Sequence, residues 1–177
     1  MSKYFLPNDD IEIDRYTTHN NDVNDPRYRT FVSPITNGIL KHFGGIHHGL
    51  DFGSGTGPVI TVVLREKGYS IDSYDPYFDN RPKVLKETYH YIACCEVVEH
   101  FHDPSLEFQR LKKLLKPNGK LFIMTDLYHE DIIFENWYYK NDPTHVFFYQ
   151  ESTFECIKKK FGFKSVEITG RLITFSL

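Results

Sequence analysis

The 177 residues carry 21 Lys and Arg against 24 Asp and Glu, a formal net charge of -3 with histidine neutral, and are 40% hydrophobic and 25% charged. At roughly 150 residues per domain, one globular domain spanning 1–177 is expected, and the balance excludes a disordered or fibrous chain and the basic footprint of general nucleic-acid binding. No apolar stretch approaches the roughly 20 residues of a membrane-spanning helix, and the start MSKYFLPNDD has no hydrophobic signal core, so a cytoplasmic location is expected. Cys94, Cys95 and Cys156 are odd in number and lack paired spacing, which points to reduced thiols. Composition leaves the oligomeric state open.

Residues 1–30 are crowded with Asn, Asp and Pro and fit no clean period, so they read as an amino-terminal arm. Pro34 to Phe43 should form a helix joining this arm to a core over 46–177. Gly45 to Phe52 reads as the first strand, ended by the glycine-rich DFGSGTG, and Pro58 favours a helix from there to Glu66, stopped by Gly68. Ser70 to Tyr74 and Tyr89 to Cys95 are short apolar or β-branched strands. His102-Asp103-Pro104-Ser105 opens a helix in which Leu106, Phe108, Leu111, Leu114 and Leu115 recur near helical spacing until Pro117 and Gly119. Lys120 to Thr125 follows as a buried strand, then a polar and aromatic insertion over 127–149, a helix from Glu151 to Phe161 stopped by Gly162, and a closing pair of strands, Phe163 to Thr169 and Arg171 to Phe175. This alternation predicts an α/β fold, a Rossmann-like, mostly parallel sheet with helices on both faces and an antiparallel carboxy-terminal strand.

The strongest local motif is Leu50-Asp51-Phe52-Gly53-Ser54-Gly55-Thr56-Gly57. A strand that turns sharply into a helix needs residues without a Cβ where φ is positive or a ligand touches the backbone, and glycines at alternate positions supply them. Asp75 ends the next predicted strand, near the roughly 20-residue offset at which an acid accepts both hydroxyls of an adenosyl ribose. The dinucleotide spacing G-x-G-x-x-G fails from either start, because its sixth position falls on Pro58 or Ile60, and the Gly-Lys-Ser/Thr of a P-loop is missing.

Four segments in order, the LDFGSGTG turn, Asp75, CCEVVEHFHDP and LKKLLKPNGKLFIMT, resemble the class I S-adenosylmethionine-dependent methyltransferases, in particular the small branch similar to quinone-biosynthesis methylases. HVFFYQESTFECIKKKFGF is similar to the family's carboxy-terminal helix and strand, so the resemblance spans residues 46 to 170. It implies S-adenosyl-L-methionine as cofactor and S-adenosyl-L-homocysteine as product. By the same resemblance Asp51 orients the loop or meets the methionine ammonium, Gly53, Ser54, Gly55, Thr56 and Gly57 pass beside the methionine and ribose, and Asp75, with Pro76 next to it, holds the ribose hydroxyls. Glu96 faces cofactor or acceptor, with Glu99 and His100 at that rim. The chain departs from the family between Asp75 and Cys95, where few residues, interrupted by Pro76 and Pro82, stand in place of a helix and strand. One sheet edge should therefore be trimmed, leaving adenine to Asp79, Asn80 or neighbouring backbone.

Methyl transfer from a sulfonium needs alignment and water exclusion more than acid–base help. Should a hydroxyl acceptor need a base, His145 in the insertion is the first candidate and His100 the second. Insertions past strand ends face the ligand crevice of this fold, and Trp137, Tyr139 and Tyr149, with Tyr138, Phe147 and Phe148, offer a flat apolar acceptor pocket. Tyr16, His19 and Tyr28 would point inward if the arm closes as a lid; a solvated tether is the other reading. No metal is expected, since EVVEHFH would match H-x-x-E-H only with His at position 96 and Cys94 and Cys95 point in opposite directions on a strand. Two further readings stay open: a catalytically inactive S-adenosylmethionine-binding module or partner subunit, and, less well supported by the glycine spacing, a nicotinamide oxidoreductase. The partner expected of an active enzyme is a small aromatic or apolar acceptor molecule.

Overall fold

Successive residues of the central strands are buried against opposite faces of the sheet, which sorts the core into two layers. In the computed structural model, which describes residues 6–18 and 21–177, β1 (His48–Phe52), β2 (Ser70–Tyr74), β3 (Tyr89–Cys95) and β4 (Leu115–Met124) run parallel. A carboxy-terminal hairpin, β5 (Ser165–Thr169) and β6 (Leu172–Ser176), adds antiparallel strands to give the order β2-β1-β3-β4-β6-β5. Ile92, Cys94, Leu121 and Ile123 point into one layer, Tyr91, Ala93, Phe122 and Met124 into the other, the two-residue period of a pleated strand buried on both faces.

The first layer is covered by α5 (Pro104–Leu114), which buries Phe108, Leu111 and Leu114, and by α6 (Glu151–Phe161), which buries Phe154 and Ile157. The second is covered by α3 (Ser33–His42) through Ile35 and Ile39, and by α4 (Val59–Glu66) through Val59, Ile60 and Leu64. These are three- and four-residue spacings that place one stripe of each helix on the sheet. Asp103 caps α5 by accepting from Leu106 N, and Gly162 ends α6 in the left-handed conformation.

Three expectations shift. The arm is helical where no period was expected: α1 (Asp9–Thr17) is capped by Asn8, with Asp9, Asp10 and Glu12 in its first turn, and α2 (Pro26–Phe31) by Asp25 with Pro26 at its first position. Both owe more to capping and the macrodipole than to an apolar stripe, which is why periodicity passes over them. β1 starts at His48 instead of Gly45, because His47 N closes a turn on Gly44 O. β4 starts at Leu115 instead of Lys120, because Leu115 already pairs with Tyr89 before the register shifts to Tyr91 and Lys120. As expected, the β2 edge is trimmed: residues 76–88 give one bridge, Asp75 to Asp79, and a 3-10 turn at Val84–Lys86 in place of a helix and strand.

Candidate functional site

A cavity of about 820 Å³ opens beyond the carboxyl ends of β1, β2 and β3, where open α/β sheets bind ligands, and its size lies in the usual range for small-molecule sites. The glycine turn forms its floor. Gly53 and Gly55 have φ of +78° and +62°, and a Cβ on Gly53 would come within 2.4 Å of Val97, so the turn lies flat against the segment after β3. Asp75 ties this floor to the β2 edge: its Oδ2 accepts from Gly55 N at 2.9 Å, and its Oδ1 from Tyr77 N and Phe78 N at 2.9 and 3.0 Å. Gly53, Ser54, Gly55, Thr56, Asp75 and Pro76 all line the cavity.

Ser54 Oγ is buried there and has no hydrogen-bond partner among the described residues. An orphaned hydroxyl on a glycine turn is unusual in a native protein and fits a polar ligand group. The acidic residues Asp9, Glu12, Asp75, Glu96, Asp103, Glu107 and Asp142 line the same space with the basic Arg15 and Arg110, which favours a cationic ligand.

Two of the motif's expected cofactor-contact residues, Asp51 and Gly57, do not line this space. Asp51 is buried behind the turn, its Oδ2 accepting from Thr61 N at 3.2 Å and Thr61 Oγ1 at 2.9 Å, so it anchors the first turn of α4. Burial pushes its carboxyl up to about 6 against the opposing pull of the Thr61 bonds. Gly57 is covered by the arm: a Cβ there would lie 1.8 Å from Asn21 O.

At the other end, Glu96 follows β3 with φ of +52° and a carboxylate chelated by Arg171 Nη2 at 2.7 and 2.8 Å. Glu99, fully buried, accepts from Thr125 Oγ1 at 3.0 Å and, through its other oxygen, from the hydroxyl of Tyr139. Burial raises both carboxyls, and the charge of Glu99 raises Glu96 further. The backbone oxygen of Glu99 also accepts from Val146 N and Phe147 N, which docks the insertion on the Glu99–His100 turn and brings His145 to His100 with ring centroids 4.8 Å apart.

Both histidines line the cavity. His145 Nδ1 donates to Tyr139 O at 2.7 Å and His100 Nδ1 to Thr144 O at 2.9 Å, since a carbonyl can only accept. Burial, with His100 next to it, pushes His145 down to about 4, so its ring is neutral near pH 7 and a weaker base than the sequence suggests.

Tyr16 and Tyr139 are cavity residues; His19 lies outside the described residues. Trp137 and Tyr149 are not. Trp137 donates Nε1–H to Asp126 at 3.2 Å and packs on Tyr128, Phe134 and Phe148. Tyr149 stacks on Phe154 and donates to Val98 O at 2.9 Å inside the first core layer. Both aromatics therefore build the insertion that carries Tyr139 and His145, and only their neighbours reach the cavity.

The arm lies across the mouth. Arg15 pairs with Asp142 at 2.7 Å, His102 with Glu12 at 2.9 Å, and Tyr77 donates to Glu12 at 2.6 Å, while the Tyr16 ring meets His100 edge-on at 5.3 Å. Sequence reasoning passed over Arg171, Arg15, Asp142 and Glu12, since each joins segments far apart in the chain. No helix among the described residues is long and apolar enough to cross a membrane.

Residues 27–168 match the family model described as a methyltransferase domain. The chain is similar to the ubiquinone biosynthesis O-methyltransferases of Shewanella sp. (strain ANA-3), 30% identical over 86 residues, and of Actinobacillus pleuropneumoniae serotype 5b, 33% over 95 residues. These matches take in 49% and 51% of this chain but only 36% and 41% of the relatives' length. In fold it is similar to Burkholderia thailandensis 1,6-didemethyltoxoflavin-N1-methyltransferase, with a TM-score of 0.66 at 13% identity over 94% of this chain and 87% of the other. It is likewise similar to human N-acetylserotonin methyltransferase, with a TM-score of 0.64 at 14% identity over 98% and 60%. With a family match over most of the sequence joined to a glycine turn, an acid after the second strand and a cavity at the strand ends, the chain belongs to the class I S-adenosylmethionine-dependent methyltransferases.

Proposed function

We propose that this chain transfers the methyl group of S-adenosylmethionine to a small acceptor carrying an ionisable oxygen. The observation that carries the reading is one continuous cavity with the Asp75-braced glycine turn at one end and Tyr139, His100 and His145 at the other. Bound there, the cofactor supplies a methyl group already activated on a sulfonium. The chain's own work is to bind, orient and exclude water. Ser54 Oγ and the backbone of Gly53 to Thr56 meet the methionine and ribose, and Asp75, acceptor-only when ionised, keeps lone pairs for ribose hydroxyls. The surrounding carboxylates favour the sulfonium charge. The aromatic faces of Tyr16 and Tyr139 hold a flat acceptor, and the arm closes over it. The O-methyltransferases among the relatives favour oxygen as the atom methylated.

Thermal unfolding with S-adenosylmethionine, S-adenosylhomocysteine or NAD tests the cofactor. At 100 times its Kd a ligand stabilises the native state by about 2.7 kcal/mol, so both adenosyl compounds raise Tm and NAD does not. Ser54→Ala, which leaves the bonds of Asp75 in place, weakens the shift, and Asp75→Ala removes it. No shift with saturating adenosyl ligands, or a shift with NAD alone, overturns the reading. Release of S-adenosylhomocysteine in a screen of hydroxyl acceptors separates an enzyme from a binding module that never turns over.

A further inference from the structure

The trimmed edge leaves the nucleobase of the cofactor without the side chains expected to meet it. Asp79 accepts from Ser73 Oγ at 2.6 Å and from Arg81 Nε at 2.7 Å, Asn80 donates to Pro76 O at 3.1 Å, and neither lines the cavity. The cavity does reach α5, where Leu106, Glu107 and Arg110 line it. We propose that Glu107 and Arg110 read the hydrogen-bonding edge of the cofactor's purine, so that α5 selects an adenosyl group over other nucleosidyl groups. This deepens the methyl-transfer reading and rests on it.

Three observations carry the assignment. Asp103, Leu106, Glu107 and Arg110 stand at helical spacings of three, four and seven residues, so they form one face of α5 turned to the cavity, while Phe108, Leu111 and Leu114 form the face turned to the sheet. The second is the chemistry of the pair. Glu107 Oε2 accepts from Arg110 Nη1 at 2.9 Å, whereas Glu107 Oε1 and the other guanidinium nitrogens have no hydrogen-bond partner among the described residues. An acceptor beside a donor complements adenine, whose exocyclic amino group donates next to a ring nitrogen that accepts. Glu107 is 18% exposed, enough shielding for a missing partner to cost affinity.

The third observation is the surface around the pair. Phe52, Tyr74 and Phe101 line the same part of the cavity, with the Phe52 ring 5.5 Å from Tyr74 and 6.4 Å from Phe101 between centroids, and Leu106 is apolar yet half exposed. Together they offer a flat base an apolar bed. Tyr74 directly precedes Asp75, and its hydroxyl, raised by burial, feels Arg110, Glu107 and Asp75 together, so the pair lies on the side of the ribose acid where the base would extend. A 6-oxo purine sets its carbonyl oxygen against Glu107 Oε1, two acceptors facing each other, and a site built to receive a donor rejects such an analogue. Along the chain the pair is indistinguishable from an ordinary i,i+3 surface pair of a helix.

The test is calorimetric titration of the full chain with S-adenosylhomocysteine and with its deaminated analogue S-inosylhomocysteine. The wild type should prefer the adenosyl compound by about 10–100-fold. Glu107→Ala should weaken adenosyl binding about tenfold or more and erase the preference, whereas Glu107→Gln, whose amide can turn a donor to the 6-oxo group, should restore affinity while narrowing the preference. Asp75→Ala, in contrast, should weaken both ligands alike. Thermal unfolding of the ligand-free variants identifies any that fail to fold. Equal affinities in the wild type, or a preference unchanged in folded Glu107→Ala and Glu107→Gln, overturns the assignment and leaves the methyl-transfer reading standing. So does a preference lost in Asn80→Ala and kept in Glu107→Ala. Failure of the wild type to bind either compound overturns both.

Discussion

Asp51 stands in the glycine motif yet serves the helix behind it. Its carboxyl, pushed up to about 6 by burial, favours the protonated form in the folded chain, whereas the unfolded form ionises near pH 4. Between those values the folded protein holds a proton that the unfolded chain has lost, so stability falls as pH rises through the window, by up to about 3 kcal/mol. Asp51→Asn should flatten that fall. Urea unfolding at pH 4, 5, 6 and 7 measures it, and wild-type and variant curves that stay parallel would refute the assignment. At the same scale the sequence was legible where backbone geometry dictates residue type, as at Gly53 with its positive φ and close approach to Val97. It was silent on which way a side chain points: Asp51 and Asp75 are both acids at strand ends, and only the partners, Thr61 behind one and Gly55 beside the other, tell them apart.

Among the elements, the arm is the one whose packing governs access. It is held by Arg15 on Asp142, by Glu12 on His102 and Tyr77, and by Asn21 over Gly57. Arg15 is 41% exposed, and exposed pairs contribute only about 0–1 kcal/mol, so Arg15→Ala should leave Tm nearly unchanged while α1 exchanges its amide hydrogens faster. Hydrogen exchange resolved to residues 9–17 checks this; protection equal to wild type would mean that the pair does not latch the arm. The elements that sequence located best, β2, β3 and α6, match their expected bounds because each is a short apolar run or stripe closed by a strong stop such as Gly162. The arm helices escaped because their signals are caps, Asn8 and Asp25-Pro26, in a polar stretch.

Across the whole molecule the carboxy-terminal hairpin closes the sheet and also delivers Arg171 to Glu96, joining the last strand to the turn after β3. Arg171→Met leaves two neighbouring carboxylates without their guanidinium. The cost should be about 1–3 kcal/mol, below the 3–5 kcal/mol of a fully buried pair because Arg171 is a third exposed. In a double-mutant cycle with Glu96→Gln by urea denaturation, a coupling of about 0.5–3 kcal/mol is expected, and strict additivity would show that the pair carries no stability.

The sequence by itself determined the layer order, the glycine turn and the acid that follows the second strand, since strand and helix periods and glycine conformations are local properties that short stretches encode. Only the tertiary structure decided which aromatics of the insertion face the cavity and which build its wall, that Arg171 meets Glu96, and that His145 joins His100 and Glu99. Those contacts join residues far apart in the chain, and their partners are chosen by how the layers dock, which no local pattern records.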